Sequence, residues 1–392
     1  MTGTSAGDAQ AGTAATENTG PGTTGAGTTD PGTTATGPAA IHAVRRARLA
    51  GALREHEVAA ALVTWPVNVR YLTGLGSSNA AVLVTATGEA ALATDSRYLE
   101  TAQAVCSGVE VIEDRDVAGA LLKRGPGAAR VAVEADHMPV GLFQRLSAEH
   151  AGLGPVSGLV EAVRAVKDEG EIAALRRACA ITDEAFSLVV ERIAPGVTER
   201  EIARWLEAAM VELGADKPAF DSIVASGPNG SIPHHSPSDR PVERGDLVTM
   251  DFGARYDGYH ADMTRTVAVG PPAAWQRDLY DLVRQAQRAG RHAVRPGATA
   301  HEVDAAARDV IAEAGHAERF GHGLGHGVGL EIHELPFLGP GRTGRLEDRV
   351  PITVEPGVYL PGRGGVRIED TLVTRGDGPE LLTLTTKELL VL

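Results

Sequence analysis

Leu247-Val248-Thr249-Met250-Asp251-Phe252-Gly253-Ala254-Arg255-Tyr256-Asp257-Gly258-Tyr259-His260-Ala261-Asp262-Met263-Thr264-Arg265-Thr266-Val267-Ala268-Val269 reads as a β-hairpin. Asp257-Gly258 is a strong two-residue turn signal between two apolar runs. With that turn, Asp251 faces Thr264 and Asp262 faces Gly253 across the ladder. Side chains alternate along a strand, so Asp251 and Asp262 share one face as diagonal neighbours about 7–8 Å apart. Two carboxylates so placed repel each other unless a cation lies between them. Taken alone, the pair reads equally well as solvated surface charge.

Working outward, the stretch has a second copy. Thr249-Met250-Asp251-Phe252-Gly253 lines up with Thr353-Val354-Glu355-Pro356-Gly357, and Asp262-Met263-Thr264 with Glu369-Asp370-Thr371. Upstream, Pro195-Gly196-Val197-Thr198-Glu199-Arg200-Glu201 matches Pro296-Gly297-Ala298-Thr299-Ala300-His301-Glu302. Both contain Thr-x-x-Glu, the capping box that opens a helix. Each helix closes near a glycine, Gly214 or Gly315, and each is followed by an aromatic, Phe220 or Phe320. Four matches in one order indicate two related halves facing each other, each supplying two carboxylates.

The second half sharpens the chemistry. Glu355 lies in the strand-like run Ile352–Tyr359, where a lone buried carboxylate would be costly, and Glu369 follows Val366-Arg367-Ile368 in the same fashion. A structural alternative pairs either with an arginine such as Arg367. Four carboxylates in one strand-built cluster make a site for two hard divalent cations. In Gly321-His322-Gly323-Leu324-Gly325-His326-Gly327-Val328-Gly329, five glycines at alternate positions argue against a helix. An extended run places His322 and His326 on one side and lets backbone approach a ligand closely. The run lacks the Lys-Ser/Thr end of a phosphate loop. His333 follows, and His234-His235 occupy the matching stretch of the first half.

Elsewhere the sequence sets bounds. An amphipathic helix begins near Asp168, with Ile172, Leu175, Ala178, Ile181, Ala185, Leu188 and Val189 on one face and Pro195-Gly196 ending it. A helical stretch at 41–56, apolar runs at 59–64, 80–86 and 131–133, and a helix near 97–105 predict a smaller α/β domain over 41–160. No chemistry-bearing spacing occurs in it. The main domain is expected over 165–392. Residues 1–40, built from Thr, Gly, Ala and Pro, have neither the basic start nor the apolar core of a secretory signal, and read as a disordered tail on a cytoplasmic protein. A net charge of -14 without basic runs argues against nucleic acid and anionic membranes as partners. The two cysteines, Cys106 and Cys179, read as inert thiols in a reducing compartment.

The span 165–392 resembles the pita-bread metallopeptidases, a family that includes aminopeptidase P, prolidase and methionine aminopeptidase. The carrying motifs are Pro233-His234, Met250–Gly253, Ala261–Thr266, Gly321–His326, Glu331-Ile332-His333-Glu334, Thr353–Gly357 and Gly365–Asp370. Asn68–Gly74 and Thr94–Tyr98 give 41–160 the look of the creatinase-type amino-terminal domain that accompanies proline-directed members. The resemblance implies an α/β (α+β) pita-bread catalytic domain with an internal pseudo-twofold repeat, preceded by the smaller α/β domain.

It further implies a dinuclear centre held by Asp251, Asp262, His326, Glu355 and Glu369. Asp251 would hold one metal with Asp262 and Glu369 bridging, and His326 and Glu355 would serve the other. This donor set suits two Mn2+ ions, with Co2+, Zn2+ or Fe2+ as alternatives. A hydroxide bridging the metals would attack the scissile carbonyl, and Glu355 would carry its proton to the leaving nitrogen. His333 would contact the carbonyl, His234 and His322 would position the substrate, and Arg367 would order the carboxylates through Asp251. The expected substrates are small peptides with proline at the second position, and the expected assembly is a homodimer or larger homo-oligomer.

Within the family, the lack of extra insertions favours an Xaa-Pro aminopeptidase, with an Xaa-Pro dipeptidase (prolidase) as the alternative. A carboxylate-binding arginine for the latter has two candidates, Arg342 and Arg345. From another class, a metal-free creatinase-like hydrolase or an inactive binding module would be expected to lose several of the five ligands, and all five are present. The additional domain at 41–160 disfavours methionine aminopeptidase.

Overall fold

A computed structural model of the protein describes residues 38–127 and 129–392. Most of the 1–40 tail expectation lies outside those residues. Its boundary is corrected at one point, because residues 38–40 already belong to the helix Pro38–Glu55. Proline suits a first helical position, where its missing N–H is not needed, so the helix starts ahead of Ile41. Residues Gly37–Leu392 form one compact unit.

The amino-terminal part is a six-stranded mixed sheet in the order Glu110–Glu113, Ala90–Thr94, Ala80–Thr85, Ala60–Val63, Val131–Glu134, Leu153–Val156. Three of these strands, 90–94, 110–113 and 153–156, are absent from the sequence reading. They are four or five residues long and carry Ala, Glu, Gly or Pro at half or more of their positions, residues depleted in strands, and pairing with neighbours makes them strands. Both faces of the sheet are covered. Leu62, Leu83, Leu121, Val131 and Leu146 pack on one, and Leu49, Val63, Val82, Leu92 and Leu175 on the other.

Leu175 comes from the long helix Glu169–Val190, which Asp168 caps by accepting the Glu171 N–H at 2.9 Å while the Glu171 carboxylate accepts from the Asp168 N–H. Its first half packs on the amino-terminal sheet, and its second half, through Ile181, Ala185, Phe186 and Val189, on the core of the carboxy-terminal part. Two details differ from the sequence reading. The helix stops at Val190, five residues before Pro195, and Leu188 is 54 % exposed. Residue 188 lies just past the edge of a stripe that drifts around the helix at about 100° per residue.

The repeat is realised helix for helix. Glu199–Glu212 and Ala300–Glu313 are both 14 residues long, and both carry a complete capping box, Thr198/Glu201 and Thr299/Glu302. Gly214 and Gly315 follow with φ of 101° and 81°, the left-handed geometry that ends a helix cheaply only at glycine. In the first half, Leu247–Phe252 lies between Ile223–Ser226 and Met263–Ala268. In the second, Pro351–Val354 lies between Gly325–Gly327 and Asp370–Val373. Each half keeps its helices outside: Ile202, Leu206 and Met210 cover the first sheet, and Val283, Val303, Ala307 and Ile311 the second.

The hairpin register is the one read from the turn. Asp251 pairs with Thr264 and Arg255 with His260, and Asp257 and Gly258 both have positive φ, 47° and 76°. The ladder is broken in the middle, however. Strand 247–252 stops at Gly253, and Ala261-Asp262 separate Tyr259–His260 from Met263–Ala268. A Cβ on Gly253 would stand 1.8 Å from the Ala261 carbonyl oxygen. The break frees Asp262 from the pleat. Gly253→Ala is therefore expected to destabilise the protein by about 3 kcal/mol or more, because backbone must move to admit the methyl group. A thermal midpoint within about 2 °C of wild type would show that the strands part freely.

Candidate functional site

Five side chains converge where the two half-sheets meet. Asp251 projects from the end of strand 247–252, and Asp262 from the break just described. His326 lies in the middle of strand Gly325–Gly327, Glu355 follows strand Pro351–Val354, and Glu369 precedes strand Asp370–Val373. Asp251, Asp262, His326 and Glu369 are all less than a tenth exposed, and the Glu355 side chain is 18 % exposed. Ligating atoms of Asp262, His326 and Glu369 lie within 4.8 Å of one another. His326 Nε2 is 3.5 Å from Asp262 Oδ2 and 3.4 Å from Glu355 Oε1. The strand bearing His326 is squeezed against its neighbour: a Cβ on Gly325 would be 2.0 Å from the Thr353 carbonyl oxygen. Glycine there is what brings His326 up to the carboxylates.

The electrostatics of this cluster call for a cation. Burial first, and then Glu369, Asp251 and Glu355, push the Asp262 carboxyl well up. Burial and the charges of Glu355 and Asp251 do the same to Glu369, and burial with Asp251 raises Glu355 to about 8. Buried Asp251 Oδ1 and Glu369 Oε1 have no hydrogen-bond partner among the described residues. Orphaned buried acceptors are rare and need an explanation. Three further carboxylate oxygens are held: Glu369 Oε2 accepts from Thr264 Oγ1 at 2.7 Å, Glu355 Oε1 from Thr353 Oγ1 at 3.2 Å, and Asp251 Oδ2 from Arg367 Nη2 at 2.6 Å. His326 completes the set. Its Nδ1–H donates to the Gly327 carbonyl at 3.0 Å, which turns the Nε2 lone pair toward the carboxylates. Burial lowers its pKa to about 4, so it is a neutral ligand at ordinary pH. The donor set and its two orphaned oxygens fit divalent cations.

Above the cluster opens a cavity of about 670 Å³. Asp251, Asp262, His326, Glu355 and Arg367 form its floor, and His234, His322 and His333 line its walls. The rings of His333 and His326 meet edge to face, 4.4 Å between centroids. A chain of polar contacts runs beneath one wall. His322 Nδ1–H donates to the Gly323 carbonyl, and its Nε2 accepts from the Tyr359 hydroxyl at 2.9 Å. That hydroxyl accepts from Arg367 Nη1 at 3.0 Å, and Arg367 donates to Asp251. Arg367 is 3 % exposed, so its guanidinium is tied to this chain and to Thr264. His235 turns the other way, to Glu199 at 2.8 Å.

Several residues of the site are absent from the sequence reading. Thr264 and Thr353 hold carboxylate oxygens, and both lie inside the repeated motifs, where alternation from Asp251 could have found them. Tyr359 lies two residues past Gly357 in a motif already singled out. Phe337 lines the cavity from a bulged strand with no periodicity to reveal it, and Phe220 and Arg342, both named in the sequence reading, line it from loops. The repeat also misleads once: Phe220 lines the cavity, whereas its counterpart Phe320 is a core residue, 2 % exposed. Of the two candidate arginines, Arg342 lines the cavity, its guanidinium 5.8 Å from the centre of the Phe337 ring, while Arg345 donates to the Gly297 carbonyl.

Comparison with known proteins places this geometry among relatives. Residues 173–375 match the model of metallopeptidase family M24, and residues 45–166 that of the creatinase/prolidase N-terminal domain. A protein named Xaa-Pro dipeptidase from Pyrococcus horikoshii is 43 % identical over 255 residues, which is 64 % of this chain and 73 % of that one. The solved structure of an Xaa-Pro dipeptidase from Bacillus anthracis superposes with a TM-score of 0.86 at 37 % identity, covering 90 % of this chain and all of that one. The structure of an X-Pro aminopeptidase from Thermotoga maritima gives 0.79 at 36 % identity, covering 88 % and 99 %.

Proposed function

The chain belongs to metallopeptidase family M24, and from that premise we propose that it hydrolyses Xaa-Pro dipeptides at a two-cation centre. Asp251, Asp262, His326, Glu355 and Glu369 would hold the cations, with Mn2+ our choice among the divalent metals this oxygen-rich set accepts. The observation that carries the reading is the convergence of Asp251, Asp262, His326 and Glu355 on the floor of one cavity, with Glu369 grouped beside Asp262 and His326 and two carboxylate oxygens left unpaired. Bound cations would supply Lewis acidity, polarising the scissile carbonyl and acidifying the attacking water.

The chain's own groups do the rest. Glu355, on the cavity floor, would take a proton from the attacking water and deliver it to the leaving nitrogen. His333, on the wall, would contact the substrate carbonyl, and His234 would help position the substrate. His322 is neutral, its pKa lowered to about 4 by burial, and offers an uncharged edge to a proline ring. The Tyr359–Arg367 chain fixes both His322 and Asp251. An Xaa-Pro bond has no N–H to donate, so shape and ring contacts must replace main-chain recognition. We read 41–160 as an accompanying amino-terminal domain and 165–392 as the catalytic one.

Dipeptides are preferred here over the longer substrates of an aminopeptidase, the reading the sequence had favoured. Two of the three relatives above are named dipeptidases, and Arg342 stands at the cavity wall where the carboxylate of a second residue would end. The test is hydrolysis of an Xaa-Pro dipeptide against an Xaa-Pro-Pro tripeptide, with Mn2+ and with chelator. Chelator-sensitive turnover of the dipeptide is expected. Arg342→Ala should raise its KM about 10-fold or more, the loss of one charge-assisted contact. Faster cleavage of the tripeptide would restore the aminopeptidase reading, and no chelator-sensitive cleavage of either would end the peptidase reading.

A further inference from the structure

The amino-terminal part reaches the catalytic cavity through a buried ion cluster. Arg164, on the helix Leu159–Ala165, and Lys167 just after it are 2 % and 1 % exposed. Both donate to Glu334, itself 7 % exposed: Arg164 Nη2 to Oε1, and Lys167 Nζ to Oε2 at 2.7 Å. Glu334 Oε1 also accepts the backbone N–H of Glu331 at 3.0 Å, which closes the 331–334 turn. The Glu331 carboxylate is gripped in turn, by Arg164 Nη1 at 2.9 Å and by the Trp65 indole N–H at 3.1 Å. Behind these, Arg164 donates to Asn68 Oδ1 at 2.7 Å, and Asn68 donates to Glu134 and Glu161. Gly329 is pressed against the same cluster: a Cβ there would meet Glu334 Oε2 at 2.8 Å and Lys167 Cε at 2.9 Å.

His333 lies inside the clamped turn, between Glu331 and Glu334, and is itself exposed to the cavity. Its ring meets His326 and makes no hydrogen bond among the described residues that would aim it, so its placement depends on the backbone. A buried ion cluster is poor at stabilising a fold relative to apolar side chains of the same volume, but it specifies geometry sharply. Here Arg164 and Lys167 both bear on one four-residue turn through Glu331 and Glu334. We propose that Arg164 and Lys167 are positioning residues for the reaction: through Glu334 and Glu331 they set where His333 stands over the cavity. The inference rests on the reading of His333 as a substrate-contacting group. It gives the amino-terminal part, otherwise without chemistry, a share in catalysis.

A double-mutant cycle on the full-length, Mn2+-loaded protein tests it. Lys167→Met is expected to lower kcat/KM about 10-fold in the wild-type background, chiefly through kcat, and less than about 2-fold once His333 is already alanine. Bound manganese, measured by elemental analysis, should be the same in all four proteins. Should Lys167→Met not fold, Glu331→Gln, at the partly exposed edge of the cluster, carries the same cycle with a loss of about 3-fold. Equal losses in both backgrounds, or a loss matched by missing manganese, would overturn the positioning role. A silent His333→Ala would overturn the inference differently, by removing the reading of His333 on which it rests.

Discussion

Asp262→Asn is expected to lower kcat/KM by about 10³-fold or more and to prevent its recovery by added Mn2+. The substitution preserves shape and removes one charge from the centre of the cluster. Asp262 is 5 % exposed, and its Oδ2 is the carboxylate oxygen 3.5 Å from His326 Nε2. Its ligating atom groups with those of His326 and Glu369, so no neighbour can take over its position. The same change should have the opposite effect on the chelated protein. There Asp262 is repelled by Glu369, Asp251 and Glu355, and an amide relieves that repulsion. The chelated variant should therefore melt higher than chelated wild type at pH about 8, where the remaining carboxyls lose their protons. Activity restored by Mn2+, or a lower melting point for the chelated variant, would mean that the cluster is misassigned.

The second large effect is on stability. Glu355 is held at about 8 against an ordinary value of 4.5, and Asp262 and Glu369 are pushed well up as well. A carboxyl whose pKa is higher folded than unfolded binds its proton more tightly in the folded state. Its contribution is complete below the unfolded value and is lost as pH rises toward the folded one. The chelated protein should thus lose stability between pH about 4.5 and about 8, by several kcal/mol given about 1.4 kcal/mol per pKa unit. Below that window the sense reverses. Glu199, burdened by burial but held by Ser238, Asn229, Ser226 and His235, and Glu334, held by Lys167 and Arg164, both lie at about 2. Their stabilisation is lost as pH falls from 4.5 toward 2. The chelated protein should melt highest near pH 5, and Mn2+ should raise the melting point most at pH about 8. A chelated melting curve that is flat or rising across that window would contradict the clustering of these carboxyls.

Much of this centre is local information. The turn at Asp257-Gly258 sets the register because both positions accept positive φ, and register alone puts Asp251 opposite Thr264. The capping boxes at Thr198 and Thr299 act over four residues, so their helices begin where the sequence places them. The four carboxylates stood out because a repeated motif puts charged residues at positions that are otherwise apolar, and His326 because it lies in a run of alternate glycines. Among the described residues no helix is long and apolar enough to cross a membrane, in keeping with the lack of apolar runs.

The tertiary structure decided what depends on contacts between distant segments. The sequence assigned no chemistry to the part before residue 160, and yet Trp65 from that part donates to the turn that carries His333, and Asn68 holds Arg164, which grips the same turn. Nothing local distinguishes Arg164 from a surface arginine; only burial against Glu331 and Glu334, some 170 residues away, gives it a partner. The same holds for Arg342 against Arg345. Two arginines in one loop differ by which backbone or cavity they meet, and loop direction is set by packing rather than by periodicity. The sequence by itself determined the hairpin register, the capped helices and the repeat that pairs Asp251 with Glu355 and Asp262 with Glu369, because turns, caps and alternation act over a few residues. Which distant side chains meet that cluster, and which line the cavity above it, only the fold could decide, because those contacts join segments far apart in the chain.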